Sequence, residues 1–185
     1  MLINLLLSTL TAYLLGSIPS GVIISRFFAR RDVRTVGSGH TGGLNVYRAA
    51  GFTPALFTFV ADCAKALVAL QFARYMMMSD WGIAVAGIAV VVGHCYPIYT
   101  RFHGGMGLAT SGVILFSFDA LMLVWIVLVW FVLKAVLKKS ARVSAIVALL
   151  LPILLFLTGD SVPYVVFGIG VGAVIFVRHL GDWNR

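Results

Sequence analysis

The chain has 185 residues, of which 61% are hydrophobic and only 11% are charged, and it contains no glutamate. A soluble domain carries about 25% charged residues, so the composition excludes an ordinary soluble protein and indicates an integral membrane protein. The formal net charge of +8 is explained more simply by basic loops that face cytoplasmic anionic lipids than by nucleic-acid binding.

Hydropathy along the chain predicts an all-α membrane protein, with about seven transmembrane or half-spanning helices in a single domain over residues 1–185. A full span needs about 20 apolar residues. The fourth apolar stretch would reach only about 18 Å, so we expect a half-span surrounded by protein. The first stretch lacks the basic start and cleavage site of a signal peptide, so we expect it to be retained. The predicted spans lie near 3–25, 52–73, 81–100, 107–118, 120–137, 144–158 and 162–177.

The basic residues predict the orientation in the membrane. With the N-terminus outside and the C-terminus in the cytoplasm, 12 of the 14 lysines and arginines, including Arg185, fall on the cytoplasmic side. If 107–137 were one helix, the basic loop at 138–143 would lie outside the cell. The charge pattern therefore predicts a break near Phe118 and Asp119.

The first polar cluster, G-S-G-H-T-G-G-L-N-V-Y-R, occupies residues 37–48. It contains a formal G-x-G-x-x-G, but no strand precedes it, so a dinucleotide site is not indicated. Its glycine backbone, the Ser38 hydroxyl, the Asn45 amide and the Arg48 guanidinium suit a phosphate. A helix over 44–48 would place Asn45 and Arg48 on one face. The alternative is a solvated loop with a positive-inside arginine.

The second cluster is V-A-D-C-A-K-A-L, which carries Asp62 and Lys65 inside an apolar segment. Ionisable residues are expensive there and usually functional, and the i, i+3 spacing lets the two side chains pair. We interpret Lys65 as a phosphate ligand held by Asp62. The alternative is a structural ion pair that orients the helix.

The third cluster is V-V-G-H-C-Y-P-I-Y-T-R-F-H-G-G-M-G-L-A-T, residues 91–110. Pro97 breaks the third span, and Gly107 opens the short fourth span. A helix N-terminus at a glycine-rich loop attracts anions. His94 is a candidate hydrogen-bond donor or base, or else a histidine that merely reaches the membrane interface.

The tail, V-R-H-L-G-D-W-N-R, places Arg178 and His179 at the end of the last span. They are candidate ligands for an anion. The alternative is a basic anchor with an interfacial tryptophan, Trp183. Cys63 and Cys95 are the only cysteines and form neither a disulfide framework nor a metal-binding spacing.

Taken in order, these clusters resemble the PlsY family of acyl-phosphate-dependent glycerol-3-phosphate acyltransferases over nearly the whole chain. The resemblance rests on L-L-G-S-I-P-S-G at 14–21, G-S-G at 37–39 with Asn45 and Arg48, D-x-x-K at 62–65, G-H-x-x-P at 93–97, F-x-G-G-x-G-x-A-T at 102–110, Ser144 before a proline-ended apolar run, and Arg178-His179.

The chain also departs from the family's usual pattern. His40 stands where the first loop usually has asparagine, and Asp182 where the tail has asparagine. Gly43-Leu44 and Ala66 are further departures. The glycine loop usually carries two lysines, replaced here by His103 and Met106. Histidine supplies at most a partial charge near neutral pH and methionine none, but the backbone N–H groups survive.

The resemblance implies transfer of a fatty acyl group from acyl phosphate to the 1-hydroxyl of glycerol 3-phosphate, giving lysophosphatidic acid and phosphate. It implies no metal, no cofactor and no nucleic acid. We therefore expect a multi-pass protein of the bacterial inner membrane, with its active site facing the cytoplasm, and a monomeric state as the working expectation.

The resemblance also implies roles for individual residues. The expected catalytic residues are Ser38, Asn45 and His94. The expected phosphate or substrate ligands are Gly39, Arg48, Lys65, Arg101, His103, Gly104, Gly105, Gly107, Arg178 and His179. The expected structural supports are Asp62, Ser17, Pro19 and Ser144.

Two other classes of function stay open at this stage. A non-catalytic or acceptor-switched relative that binds phosphate or lipid would tolerate the lost lysines. A small transporter would suit broken spans and buried charges, although the sequence has no internal repeat and its polar groups crowd one side of the membrane.

Overall fold

The computed structural model describes residues 1–184, so Arg185, predicted to be cytoplasmic, lies outside the described residues. The described chain is all helical. Its α-helices are α1 (Leu2–Gly16), α2 (Ser20–Ala29), α3 (Gly43–Ala50), α4 (Phe52–Tyr75), α5 (Asp80–Cys95), α6 (Leu108–Phe118), α7 (Ala120–Leu137), α8 (Ser140–Leu157) and α9 (Val162–Leu180), with 3-10 turns at Val33–Thr35 and Ile98–Thr100.

Six segments within residues 1–184 are long and apolar enough to cross a membrane, and α6 is a shorter apolar helix. The prediction of about seven spanning or half-spanning helices is thus confirmed, and this is an integral membrane fold. The orientation of the termini stays a prediction.

The span predicted near 3–25 is confirmed as one apolar segment, Leu2–Ala29, but it consists of two helices, α1 and α2. Pro19 is the N-cap of α2. A proline disfavours helical backbone in the residue before it and has no N–H to donate. At the break the carbonyl of Ile18 accepts a hydrogen bond from the Ser20 N–H at 3.0 Å, and its second lone pair remains for a donor outside the helix.

Other predicted boundaries also shift. The third span reaches Thr100 as predicted, but its α-helix ends at Cys95, and Pro97 and a 3-10 turn complete it. The sixth begins at Ser140, and the seventh continues to Leu180.

The predicted break between α6 and α7 is confirmed at Asp119. The Asp119 carboxylate accepts hydrogen bonds from the backbone N–H groups of Leu121 and Met122 at 2.9 and 3.0 Å. This N-cap satisfies donors that would otherwise be unpaired at the start of α7.

Helix α5 packs in the centre, against α1 on one side and α9 on another. Glycines permit the closest approaches, because added Cβ atoms would overlap backbone carbonyls. Gly16 faces the Val90 carbonyl, and Gly93 faces the Tyr13 carbonyl. Small residues of this kind let membrane helices approach closely, and the packing fixes the end of α5 where His94 lies.

The segments carrying the predicted polar clusters meet at one end of the bundle, here called the loop end. It contains the first loop (residues 30–42), the glycine loop (residues 101–107), the turn between α7 and α8, and the tail after α9. The first loop contacts the glycine loop through the Thr41 N–H and the Gly104 carbonyl at 3.4 Å.

Candidate active site

Three ionisable side chains form a buried group inside the helix bundle, here called the buried trio: Asp62, Lys65 and His94. Lys65 Nζ lies 2.9 Å from Asp62 Oδ1, as the i, i+3 spacing predicts. His94 Nδ1, from α5, lies 3.5 Å from the same oxygen, an ion-pair separation that forms no hydrogen bond of good geometry. No member of the trio is more than 8% exposed. The Asp62 carboxylate thus faces two groups able to carry positive charge.

The break in the first span supplies another contact to the trio. Lys65 Nζ donates a hydrogen bond to the carbonyl of Ile18 at 3.0 Å. Ser17, fully buried, donates its hydroxyl to the carbonyl of Tyr13 at 2.8 Å. Ser17 and Pro19 therefore lie at a helix break that holds the lysine, a position that suits the predicted supporting role.

The glycine loop rests directly on His94. The Gly105 N–H donates to the His94 carbonyl at 3.1 Å. A Cβ on Gly104 would overlap that carbonyl, and a Cβ on Gly105 would overlap His94 Nε2. Gly107 has a φ of +84° and immediately precedes α6. Glycine is therefore needed both for the close approach and for the turn.

Arg178, from the end of α9, holds the other side of the glycine loop. Its Nε donates to the Gly105 carbonyl at 2.9 Å and its Nη2 to the Gly104 carbonyl at 2.8 Å. The guanidinium lies over the ring of Tyr96, 5.6 Å from its centroid. Since C=O and N–H point to opposite sides of a trans peptide, the Met106 N–H is directed away from Arg178.

The start of α6 offers further donors. No hydrogen bond within residues 1–184 uses the N–H of Met106, Gly107 or Leu108. The first N–H groups of a helix have no partner within that helix and favour anions. These donors were expected from the sequence, and they do not depend on the missing lysines.

The first loop is built around Asn45. The Asn45 Oδ1 accepts a hydrogen bond from the Ser38 N–H at 3.0 Å. Its Nδ2 lies 2.9 Å from each of the carbonyl oxygens of Val33, Val36 and His40. These contacts use both ends of the amide, so Asn45 holds the loop from behind rather than facing open space.

The predicted shared face of Asn45 and Arg48 is confirmed in α3. A Cβ on Gly37 would overlap Asn45 Oδ1 and lie 3.4 Å from Arg48 Cδ. The side chain of Arg48 is exposed and makes no hydrogen bond or ion pair with residues 1–184. Gly39, a predicted ligand, adopts a φ of +76° in the same loop.

An ion pair fixes the start of the first loop. Asp32 accepts hydrogen bonds from Arg34 Nε at 2.9 Å and from Arg26 Nη2 at 2.7 Å. The hydrogen bond from Arg34 is the main cause that holds the pKa of Asp32 well below its usual range, and it also raises the pKa of Arg34. Asp32 therefore stays ionised at any physiological pH.

Arg101 and His103, both predicted ligands, lie at the exposed rim of the glycine loop. His103 Nδ1 lies 2.7 Å from the carbonyl of Arg101. The structure does not bring these two side chains into contact with the buried trio. Met106 is half-buried in the same loop.

An apolar groove with a cavity of about 210 Å³ begins beside the glycine loop. Ser144 lies in its wall and accepts a hydrogen bond from Trp130 Nε1 at 3.0 Å. His179 is buried one turn after Ile175, with its Nδ1 2.8 Å from the Ile175 carbonyl. The groove is lined by Leu108, Ser111, Gly112, Leu115, Leu123, Ile126, Val127, Trp130, Ser144, Val147, Ala148, Leu151 and Ile175.

Sequence reasoning missed four residues that shape the site: His40, Thr41, Tyr96 and Asp182. His40 Nε2 lies within hydrogen-bond distance of Asp182 Oδ2, across 142 positions of sequence. Both residues are departures from the family pattern, and that shared irregularity was the only signal available for them. Thr41 and Tyr96 gave no signal.

The chemistry available at this site is anion binding and proton transfer. Lys65, Arg48, Arg178 and the N–H groups at the start of α6 favour a phosphate, and His94 can accept or donate a proton. Within residues 1–184, no group of three or more metal-ligating side chains is placed to hold a metal ion.

Comparisons with known proteins agree on one family. The family model described as glycerol-3-phosphate acyltransferase matches residues 6–185. The glycerol-3-phosphate acyltransferase of Rubrobacter xylanophilus is 34% identical over 173 residues, covering 94% of this chain and 86% of that protein. The enzyme of the same name from Jannaschia sp. is 36% identical over 184 residues, covering 97% and 87%.

Two crystal structures of PlsY (YgiH), an integral membrane glycerol 3-phosphate acyltransferase, share the fold. The glycerol 3-phosphate form matches with a TM-score of 0.85 and 32% identity, over 98% of this chain and 90% of that chain. The lysophosphatidic acid form matches with a TM-score of 0.82 and 31% identity, with the same coverage.

Proposed function

The chain belongs to the glycerol-3-phosphate acyltransferase family, and from this premise we propose that it transfers a fatty acyl group from acyl phosphate to the 1-hydroxyl of glycerol 3-phosphate. The products are lysophosphatidic acid and phosphate. The observation that carries the proposal is a single arrangement: a buried Lys65–Asp62–His94 group lies under a clamped glycine loop at the start of an apolar groove.

The reaction needs one bond to form and one to break. The 1-hydroxyl oxygen attacks the acyl carbon, and the bond between that carbon and the phosphate oxygen breaks. The hydroxyl proton ends on the departing phosphate, so atoms and charge balance. Two phosphate groups must therefore sit close together, next to donors for the oxyanion that develops on the acyl carbonyl.

His94 is the candidate for handling the hydroxyl proton. Asp62 lies at Nδ1 of the imidazole, which leaves Nε2 on the side of the glycine loop, packed against Gly105. A carboxylate on one ring nitrogen orients the ring and supports positive charge on it. Lys65 balances the carboxylate when His94 is neutral, so the buried trio does not carry an uncompensated negative charge.

The phosphate groups have separate candidate ligands. Lys65, Arg48 and Ser38 are proposed to hold one phosphate, and the glycine loop with the first turn of α6 to hold the other. Replacement of a lysine by Met106 removes a charged contact worth about 1.5–3 kcal/mol. That loss weakens phosphate binding, but the backbone donors remain.

The apolar groove is the candidate site for the acyl chain. Leu108 follows Gly107 directly and lines the groove, and Ile175 is close enough to Gly107 to lie 3.5 Å from an added Cβ. From Leu108 to Leu115 the groove follows two turns of α6, or about 10 Å. A chain bound there would place its acyl carbon beside the glycine loop.

The proposal includes the cellular setting. The protein is multi-pass, and we infer that it is a monomer of a bacterial inner membrane whose loop end faces the cytoplasm. The basic residues of the first loop and the α7–α8 turn support this orientation, since positive charge favours the cytoplasmic side.

The test compares acyl donors. Purified protein in lipid mesophase or mild detergent receives palmitoyl phosphate and glycerol 3-phosphate, and phosphate and lysophosphatidic acid are followed together. Equal amounts of both are expected, with no product from palmitoyl coenzyme A. Release of phosphate without lysophosphatidic acid would refute glycerol 3-phosphate as the acceptor. Product from palmitoyl coenzyme A would refute acyl phosphate as the donor.

Two lysine variants test the site. Lys65→Ala removes a buried charge and should lower kcat/KM by about a hundred-fold or more, because charged contacts contribute up to about 3 kcal/mol. Lys134→Ala is the matched control, since among residues 1–184 its amine bonds only to the Lys138 carbonyl at 2.5 Å, and it should keep the wild-type rate. Equal activity in the two variants would show that the buried trio is not the site.

A further inference from the structure

A chain of contacts links the tail to the glycine loop through His40. His40 Nε2 lies within hydrogen-bond distance of Asp182 Oδ2, and His40 Nδ1 lies 3.3 Å from Arg178 Nη2. The same Arg178 Nη2 donates to the Gly104 carbonyl at 2.8 Å. The side chains of His40 and Asp182 are only 18% and 12% exposed. His40 therefore lies between a carboxylate and the guanidinium that holds the glycine loop.

The two contacts of His40 require one protonation state. Arg178 has only N–H donors, so Nδ1 must present its lone pair to it. The proton of a neutral imidazole is then on Nε2, where it is donated to Asp182. Protonation of Nδ1 would replace the hydrogen bond from Arg178 by a contact between two cations.

We propose that His40 and Asp182 are positioning residues for acyl transfer: neutral His40, held by Asp182, keeps Arg178 on the glycine loop, and protonation of His40 releases that clamp. Neither residue needs to touch the substrate. They act through Arg178, which sets the orientation of the peptide groups of Gly104 and Gly105.

The tail is anchored independently of His40. Arg142 Nε donates to the Trp183 carbonyl at 2.9 Å, and Lys139 Nζ donates to the Asn184 carbonyl at 2.6 Å. These bonds tie the residues after Asp182 to the turn between α7 and α8. Asp182 is thereby held in place, so His40 is oriented by a fixed carboxylate.

Three charged or titratable groups face His40. They are Asp182 on the tail, and Arg178 and His179, both on α9. Imidazole changes charge between about pH 5 and 8, so the clamp is tested across that interval.

The activity test rests on the proposed function. The kcat of wild type should fall about ten-fold between pH 7.5 and 5.5, as expected for loss of one neutral imidazole. His40→Asn keeps an acceptor for Arg178 that does not titrate in this range. Its kcat should fall less than that of wild type over the same interval, because the clamp no longer opens while the proton-handling His94 is present in both proteins.

Asp182→Asn should shift the acidic fall in kcat rather than reduce it. It keeps an oxygen acceptor for Nε2–H but removes the charge that favours imidazolium, so the acidic fall should move to lower pH. The remaining histidines are present in every variant and cannot produce these differences. An acidic fall that is the same in wild type and both variants would overturn the proposal.

A second measurement does not depend on catalysis. Hydrogen exchange over 101–107, corrected for the intrinsic pH dependence of exchange, should rise several-fold in wild type between pH 7.5 and 5.5. It should not change in His40→Asn. Equal exchange changes in the two proteins would overturn the inference even if no acyl transfer is seen, whereas absent acyl transfer with the expected exchange pattern would refute only the proposed function.

Discussion

Helices α5 and α7 are both long and apolar, yet they occupy opposite environments. Nine of the 16 residues of α5 are buried, and only Met122 among the 18 residues of α7 is buried. α5 contacts α1, α4, α6 and α9, whereas α7 contacts only α6 and α8 substantially. Greater hydrophobicity does not bring greater burial, because α7 is the more hydrophobic of the two helices.

Side-chain size explains the difference. α5 reads D-W-G-I-A-V-A-G-I-A-V-V-V-G-H-C, with small residues on several faces, whereas α7 reads A-L-M-L-V-W-I-V-L-V-W-F-V-L-K-A-V-L. Lipid is as apolar as leucine, so membrane helices associate where small residues let backbones approach. The site residue His94 lies on α5, which other helices surround, so its polar side chain contacts protein instead of lipid.

The largest expected effect comes from adding one methyl group at a glycine of α5 and comparing it with the same change at a glycine of α6, which faces α7. In Gly93→Ala the new Cβ would overlap the carbonyl of Tyr13, whereas in Gly112→Ala the nearest atom is Leu123 Cδ1 at 3.8 Å. Gly93→Ala should reduce the free energy of unfolding by about 2–3 kcal/mol, since helix α1 must move. Gly112→Ala should be neutral or stabilising by up to about 1 kcal/mol, because alanine favours helix.

Thermal unfolding in one detergent measures both glycine variants. Gly93→Ala should also lower activity, since His94 is the next residue. If the two variants unfold at the same temperature, then close backbone approach does not distinguish the α5 region from the α6–α7 contact.

An intermediate effect is expected from restoring charge to the glycine loop, which packs on α5. Met106→Lys places an ammonium group where the sequence has only a thioether. The KM for a phosphate-bearing substrate should fall about ten-fold, because a charged contact contributes at least about 1.5 kcal/mol to binding. Steady-state kinetics with each substrate varied in turn will show which phosphate the loop binds, and an unchanged KM for both would place the phosphates elsewhere.

The smallest effect is expected on α7. Trp130→Phe removes the hydrogen bond from Nε1 to Ser144 and should lower the free energy of unfolding by about 1 kcal/mol. Trp125→Phe is the control, because Trp125 is 53% exposed, and it should change stability by less than about 0.5 kcal/mol. A larger loss in the control than in Trp130→Phe would mean that α7 is held by contacts other than this bond.

Local patterns predicted much of the helical framework. The short α6 and the break at Asp119 followed from apolar length and from the distribution of basic residues, and the structure confirms both. The Asp62–Lys65 pair followed from helical spacing. By contrast, hydropathy did not reveal that the span predicted over 3–25 is two helices, since the apolar character continues through Ser17–Pro19 even though the helical backbone does not.

The sequence by itself determined which segments are helices, which residues are too polar for lipid, and which loops carry glycine, because these depend on residue type and short spacing. Only the tertiary structure decided which polar groups meet. It places His94 beside Asp62, Lys65 at the carbonyl of Ile18, and His40 between Asp182 and Arg178. These contacts join segments far apart in the chain, and their geometry is set by how closely glycine and alanine let the helices pack.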